Sequence, residues 1–239
     1  PYVLAVGFKA FGEGVWTIRV IQAIWGAAAC GLIYAGTSRL FGRSAGVIAG
    51  MMLALYAPAI FFDGIVQKAS LTCLLVCALF AATTWFDEIR RGLDAEQRIE
   101  AARSACGGRF GFGWEAIGAT VIGTAAGLLT ITRENAMVWL AVMGAWIWWS
   151  ARDCRLFRLR RIECRMEKET SKSQNVKKAN GAIRRRNWAA LGAYLVGVAV
   201  VLGPVAVRNA VVSGEWSVST FQAGPNFYIG NHRGADGRY

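Results

Sequence analysis

Apolar stretches of about 20 residues alternate with polar segments along most of this chain. A helix rises about 1.5 Å per residue, so about 20 apolar residues reach across the roughly 30 Å hydrocarbon core of a bilayer. The pattern predicts six membrane-spanning helices, at about 15–36, 44–62, 65–86, 114–132, 135–151 and 188–207. The predicted fold is an all-α polytopic transmembrane bundle over 1–207, followed at 208–239 by the start of an extracytoplasmic segment.

The composition supports a membrane protein. The 239 residues are 55% hydrophobic, include 10 Trp and have a mean hydropathy of +0.36, which lies outside the usual range of a soluble domain. The first 14 residues are apolar but interrupted by Gly and charged residues, which favours a short interfacial helix before the first span.

Positive charge is concentrated between Arg152 and Asn187. This segment holds 13 Lys and Arg against four acids, and loops rich in Lys and Arg stay on the cytoplasmic side. Alternation of the spans then places 37–43 and 87–113 on the same side, so these three loops carry 20 of the 27 basic residues. We therefore expect a multi-pass inner (plasma) membrane protein whose basic loop 152–187 binds anionic lipids. Charge confined to one such loop argues against a nucleic-acid partner.

The six cysteines predict free thiols. Three lie in predicted spans and three in loops of the reducing side. They are Cys30, Cys73, Cys77, Cys106, Cys154 and Cys164. A single His232 and the absence of a Cys-x-x-Cys pair argue against a zinc site. No cofactor is predicted, and nothing in the sequence supports a divalent metal.

Two features predict local helix geometry. The small residues of 26–31 allow another helix to approach closely, and Pro58 near the outer end of the second span predicts a kink that opens the backbone toward a cavity. The connection 87–113 mixes five acids with five bases. We interpret it as a partly helical segment with no chemistry of its own.

The charged residues that would be costly in a bilayer all fall at the outer ends of spans. They are Asp63, Lys68, Arg133, Glu134 and Arg208. One interpretation is that they reach outward to the headgroups. The other is an aqueous cavity that binds a phosphate-bearing lipid head, because guanidinium groups bind phosphate oxygens and a carboxylate can take a proton from an acceptor.

Three stretches resemble a known family. Residues 127–140, GLLTITRENAMVWL, are similar to the G-L-x-x-L-T-R-P-N helix junction of bacterial membrane glycosyltransferases of the dolichyl-phosphate-mannose protein mannosyltransferase and aminoarabinose transferase superfamily. Residues 208–239 resemble that group's stretch after a late span, with Asn-Phe-Tyr-Ile-Gly-Asn and Ala-Asp-Gly. Residues 15–50 resemble its second and third spans, with their Arg-Leu-Phe-Gly-Arg joint.

The resemblance implies a GT-C enzyme. Such an enzyme moves a sugar, with inversion, from a polyprenyl phosphate to a glycan, lipid or protein acceptor on the extracytoplasmic side. The family places its main catalytic acid in a first outer loop, which would precede Pro1, so we expect a fragment lacking the first span and the C-terminal region. Asp63 is then the substitute candidate for the catalytic base.

The remaining candidate residues are assigned to the donor or to the acceptor. The donor phosphate is assigned to Arg133, Arg208 and Lys68. The acceptor, or a cap over the cavity, is assigned to Glu134, Asn135, Asn226, Tyr228 and Asn231. Glu134 stands where the family commonly has Pro, and Lys68 lies near a position where many relatives have an acid. These departures leave the donor sugar and the metal requirement open.

Two other classes share this topology. A transporter or flippase also has polar outer cavities, but such proteins often show inverted repeats and discontinuous helices, and neither is visible in the sequence. A membrane scaffold without catalytic activity would explain a missing acidic loop.

Overall fold

The computed structural model describes residues 2–12, 14–65, 67–103, 111–149, 173–214 and 216–217. Its regular elements are α1 (Tyr2–Phe11), α2 (Val15–Phe41), α3 (Arg43–Ala54), α4 (Ala57–Gly64), α5 (Ala69–Arg103), α6 (Gly111–Thr132), a 3-10 turn (Glu134–Ala136), α7 (137–149) and α8 (Ser173–Ser213). The described residues contain no strand, and the all-α prediction is confirmed.

Among the residues that the structure describes, four helices are long and apolar enough to cross a membrane. They are α2 and the parts Ala69–Gly92, Gly113–Thr132 and Arg185–Ser213 of α5, α6 and α8, and α3 with α4 makes a fifth crossing if the bent pair is one span. The polytopic bundle is thus confirmed. The fifth predicted span, 135–151, coincides with α7, whose described part is shorter than a crossing requires.

Helices extend beyond the predicted spans into the segments predicted as cytoplasmic loops, which agrees with the interpretation of 87–113 as partly helical. Helix α2 continues to Phe41, α5 continues to Arg103, and α8 begins at Ser173 rather than after Asn187. Hydropathy marks only the part of a helix that a bilayer would enclose, whereas Lys, Arg, Glu and Ala continue the helix without penalty. Helix α2 ends at Gly42, whose φ of 93° is favourable only for glycine.

The second predicted span is broken. Helix α3 ends at Ala54, α4 begins at Ala57, and their axes differ by 50°. Pro58 lies in the first turn of α4, where its missing N–H costs nothing because first-turn donors have no partner within the helix. The kink expected near Pro58 is therefore a break at its N-terminal side. The structure also corrects the interpretation that the chain has no discontinuous helix.

The order of contacts fixes the helix directions. Helices α2 and α5 run parallel, since Gln22 reaches the turn before α5 and Gly36 packs on Phe80. Helix α6 is antiparallel to α5, and α8 is parallel to α6, where Gly127 packs on Val201. One end of the bundle therefore holds the start of α2, the end of α4, the start of α5 and the ends of α6 and α8. We call it the Asp63 end, and the opposite end the Glu115 end.

The main core lies between α5, α6, α7 and α8. Phe86, Ile122, Ile147 and Tyr194 are fully or almost fully buried there. The Tyr194 hydroxyl donates to the carbonyl of Leu140 at 2.8 Å, which joins α8 to α7. The layer of α2, α3 and α4 packs against α5 and leaves many apolar side chains exposed, as expected of helices that face lipid.

The Glu115 end is held together by buried charges. The Arg90 Nε donates to Glu115 Oε1 at 2.6 Å, and the Arg186 Nε lies 3.1 Å from Glu115 Oε2. Arg90 also donates from Nη1 to the carbonyl of Ile147 at 3.2 Å. The ion cluster thereby joins α5, α6, α7 and α8. The 87–113 connection, interpreted as having no chemistry of its own, supplies Arg90 to this cluster.

Candidate functional site

A cavity of about 720 Å³ opens at the Asp63 end, between α2, the α3–α4 break and the start of α5. Its wall is formed by Arg19, Ala23, Gly26, Ala27, Ala29, Cys30, Leu53, Ala54, Tyr56, Pro58, Ala59, Ile60, Phe62, Asp63, Gly64, Ala69, Ser70 and Cys73. The volume lies in the range of small-molecule sites, which are mostly apolar with a few polar groups that orient the ligand.

Two side chains of opposite charge line this mostly apolar wall. Asp63 lies half-buried in the last turn of α4, and Arg19 is exposed near the start of α2. The Arg19 guanidinium carbon lies 5.5 Å from the centroid of the Trp16 ring, a cation–π distance that restrains the guanidinium group. The cavity therefore offers both an anion-binding group and a proton acceptor.

Asp63 occupies its place because α2 carries a glycine opposite it. A Cβ at position 26 would collide with the Asp63 carboxylate, so the side chain fills space that only Gly26 leaves free. The sequence predicted that the small residues of 26–31 allow a close approach. The structure shows a carboxylate from α4 at that place.

Gln22 holds the turn that follows Asp63. Its side-chain Nε2 donates to the carbonyls of Ile65 at 2.9 Å and Gln67 at 3.1 Å, and the residue is only 2% exposed. The Ile65 carbonyl also accepts from the Gln67 N–H at 2.7 Å, so Gln22 adds a second donor to a turn that lies next to an apolar wall, where unpaired polar groups are costly. Gln22 thus attaches the α4–α5 turn to α2 and helps to fix the orientation of Asp63.

The other predicted donor residues lie at the same end but do not line the cavity. Lys68 is exposed just before α5. Arg133 is exposed after the last residue of α6, with Glu134 and Asn135 in the following 3-10 turn.

Arg208 is level with Arg133 on the neighbouring helix. Gly127 on α6 packs on Val201 on α8, and the two helices are parallel. Six residues further along each helix, Arg133 is therefore level with Val207. Arg208 is exposed in the last turns of α8. The structure therefore places Arg133 and Arg208 at the same level of neighbouring helices, separate from the wall that contains Asp63.

Three predicted residues fall outside the described part of the chain. They are Asn226, Tyr228 and Asn231. Shortly before them, the Asn209 side-chain amide donates to the Ser217 carbonyl at 2.9 Å. The described chain after α8 is thereby attached to that helix. The roles predicted for the three residues stay predictions.

Sequence reasoning missed Arg19 and Gln22 as site residues. Arg19 was counted only as one of the outer basic residues, and Gln22 was not singled out. Polar side chains four and seven residues into an apolar span are costly unless they are partnered or face water. This free-energy cost was the signal available in the sequence. In the structure the cost is reduced because Arg19 lines a cavity and Gln22 donates to the carbonyls of a backbone turn.

Two thiols also line the wall. Cys30 and Cys73 line the cavity as free thiols, whereas Cys77 is buried one turn further along α5. Within the described ranges, no group of three or more His, Cys, Asp or Glu side chains could hold a metal ion.

Comparison with known proteins gives one match. Residues 1–93 match the model of the dolichyl-phosphate-mannose-protein mannosyltransferase family, which confirms the family resemblance in this part of the chain. No curated protein and no solved structure gives a significant match. The matched residues include every residue that lines the cavity. The resemblance of 127–140 and 208–239 lies beyond the match and stays a prediction.

Proposed function

Since residues 1–93 match a family of membrane glycosyltransferases of the GT-C type, we propose that the cavity at the Asp63 end binds a polyprenyl-phosphate-linked sugar. The sugar is transferred from there to a glycan, lipid or protein acceptor. The observation that supports this most directly is the position of Arg19 and Asp63 in one largely apolar cavity within the matched residues.

The cavity suits an amphipathic donor. Its apolar wall and the exposed apolar residues of α3 and α4, such as Met52 and Leu55, can contact a polyprenyl chain that reaches the cavity from the lipid. Arg19 can pair with the phosphate through charge-assisted hydrogen bonds. The sugar then lies near Asp63, beside the break between α3 and α4.

The proposed reaction is an inverting displacement at the anomeric carbon. The Asp63 carboxylate accepts the proton of the acceptor hydroxyl, whose oxygen forms the new bond to that carbon. The bond between the anomeric carbon and the phosphate oxygen breaks at the same time, and the lipid phosphate leaves with the electron pair. Arg19 stabilises the negative charge that develops on this phosphate.

Other basic residues at the same end strengthen the site. Arg133, Arg208 and Lys68 add a positive field. This field attracts the phosphate headgroup of the donor and favours departure of the negatively charged lipid phosphate. The predicted topology puts the Asp63 end on the extracytoplasmic side of the plasma membrane, because the basic segment 152–187 leads into the crossing part of α8, Arg185–Ser213, which begins at the opposite end. Transfer would then take place outside the cytoplasm.

A lipid transporter is the second candidate, and the α3–α4 break favours it. Transporters often place substrate sites at discontinuous helices, and α3 and α4 meet at 50° beside the cavity. Transport would move the lipid phosphate across the bilayer with its sugar still attached. Appearance of the sugar on an acceptor therefore distinguishes the two functions.

A transfer assay on the full-length chain in membranes tests the proposal. Membranes that contain the protein are supplied with radiolabelled polyprenyl phosphates carrying hexoses or pentoses, and label on the acceptor is measured. Asp63→Asn should lower transfer about 100-fold or more, because it removes the base. Arg19→Gln should also lower transfer, because it removes the charge that faces the phosphate.

Arg91→Gln is the matched control. Arg91 is exposed at the Glu115 end, where it pairs with Asp87, so its replacement should leave transfer unchanged. Full transfer by both Asp63→Asn and Arg19→Gln would overturn this site. Movement of intact donor across the bilayer without transfer to any acceptor would favour the transporter.

A further inference from the structure

Two thiols on different helices face the same cavity. Cys30 on α2 and Cys73 on α5 both line its wall. Helices α2 and α5 are parallel, and Gly36 on α2 packs on Phe80 on α5. Six residues earlier on each helix, Cys30 is therefore level with Leu74. Cys30 and Cys73 therefore lie at nearly the same height, one turn deeper than Asp63 and its neighbour Gly26.

A third thiol nearby differs in access. Cys77 lies one turn after Cys73 on α5, but it is only 6% exposed and does not line the cavity. Cys30 and Cys73 are half-buried and open to the cavity. The cluster therefore contains two accessible thiols, Cys30 on α2 and Cys73 on α5. It also contains one shielded thiol, Cys77 on α5.

We propose that Cys30 and Cys73 form a thiol-modification site inside the cavity, which takes small anionic thiol-directed reagents from the aqueous side. Arg19 at the opening attracts such a reagent, and the two thiols are the nucleophiles that it meets on the wall. The reactive form is the thiolate, and reactivity follows access to water and to positive charge. Neither the family match nor the proposed reaction assigns a role to these cysteines.

The modification step is a thiol–disulfide type exchange. With a methanethiosulfonate that carries an ethylsulfonate group, the cysteine thiolate attacks the sulfur bonded to that group. A new S–S bond forms, the bond to the sulfonyl sulfur breaks, and methanesulfinate leaves with the electron pair. The thiol proton passes to water, and no external oxidant or reductant is required.

The adduct should block donor binding. It adds a sulfonate to the cavity close to Asp63, where it competes with the donor by charge and by volume. This second consequence rests on the proposed function, whereas the labelling itself does not.

The test uses the full-length chain in sealed membranes with the Asp63 end accessible. Cys106, Cys154 and Cys164, together with any cysteine outside residues 1–239, are replaced by Ser so that only the three thiols of the cluster remain, and adducts are located by peptide mass spectrometry. We expect adducts at Cys30 and Cys73 and none at Cys77 until the protein is unfolded in detergent. The double variant Cys30→Ala/Cys73→Ala should lose labelling of the folded protein.

The outcomes separate the thiol site from the proposed function. Equal labelling of all three cysteines, or no labelling of Cys30 and Cys73 before unfolding, would overturn the site. Because the mapping reads the adducts without removing Cys30 or Cys73, a folding defect of the double variant does not affect it. Labelling together with loss of transfer, and protection by polyprenyl phosphate, supports the blocking role. Labelling with unchanged transfer would keep the thiol site and overturn that role.

Discussion

The carboxylate of Asp63 lies directly against the Cα of Gly26, in space that any other side chain at position 26 would occupy. The contact joins α4 to α2 at the wall of the cavity. Gly26 on α2 therefore helps to determine where the side chain of Asp63, the proposed base on α4, points. The residue type at position 26 therefore determines the position of the Asp63 carboxylate. This effect can be tested without altering Asp63 itself.

Gly26→Ala should lower transfer without unfolding the protein. The new methyl group must push the Asp63 carboxylate aside, and a misplacement of about 1 Å at a reacting group can cost on the order of 100-fold in rate. The carboxylate is the end of a side chain that can rotate, so the cost in stability should be small. The measurements are the rate of sugar transfer and the thermal unfolding midpoint in detergent.

Gly31→Ala is the matched control on the same helix. Nothing lies within 4 Å of a Cβ built at Gly31, so transfer should stay at the wild-type rate. Similar rates for the Gly26→Ala and Gly31→Ala variants would show that the position of Asp63 is not critical.

Arg133→Ala should reduce transfer while leaving membrane insertion intact. Arg133 is exposed after α6 and level with the end of α8, so its removal leaves no cavity in the core. Because Arg133 does not line the cavity, its loss removes part of the positive field that attracts the donor phosphate, and the donor concentration needed for half-maximal transfer should rise. Arg43→Ala, an exposed arginine at the opposite end, serves as the control. Unchanged transfer by the Arg133→Ala variant would remove Arg133 from the mechanism.

The sequence predicted the fold class well because membrane helices must bury their backbone polar groups internally. Hydropathy therefore located each helix of the described ranges that is long and apolar enough to cross a membrane, and Pro58 marked the place where the second span is interrupted. It could not locate the helix ends, since Phe41, Arg103 and Ser173 lie in or beside polar segments that continue a helix as readily as they form a loop.

The site was predicted only in part, because sequence separation hides contacts between helices. Asp63 was identified from its cost near a bilayer. Arg19 and Gln22 are also costly in an apolar span. Their roles, however, depend on which helix lies opposite them, and the local sequence pattern does not give this information. Arg90 and Glu115 were missed for the same reason: each is ordinary in its own segment, and only the antiparallel packing of α5 and α6 pairs them.

Glu115→Gln should destabilise the bundle. The Glu115 side chain is 2% exposed and is approached by Arg90 and Arg186, so loss of its charge leaves two guanidinium groups beside a neutral amide. Removing one partner of a buried ion pair costs about 3–5 kcal/mol. The thermal unfolding midpoint in detergent should therefore fall clearly, and proteolysis near α8 should increase.

Glu88→Gln provides the comparison for this variant. Glu88 pairs with Arg39 at 3.1 Å, but its side chain is 64% exposed, and exposed pairs contribute at most about 1 kcal/mol. Its unfolding midpoint should remain close to wild type. Equal midpoints for the Glu115→Gln and Glu88→Gln variants would contradict a stabilising role of the buried cluster.

Reporters fused after Lys172 and after Gly224 should lie on opposite sides of the membrane. Helix α8 begins at Ser173 and contains one crossing, Arg185–Ser213, and basic segments remain in the cytoplasm. A phosphatase reporter, active only outside the cytoplasm, should be active after Gly224 and inactive after Lys172, while a cytoplasmic fluorescent reporter should show the reverse. The result also orients the cavity, because α8 ends at the same end of the bundle as Asp63. If both fusions report the same side, α8 does not cross; if they report the reverse sides, Asp63 and Arg19 face the cytoplasm and extracytoplasmic transfer is excluded.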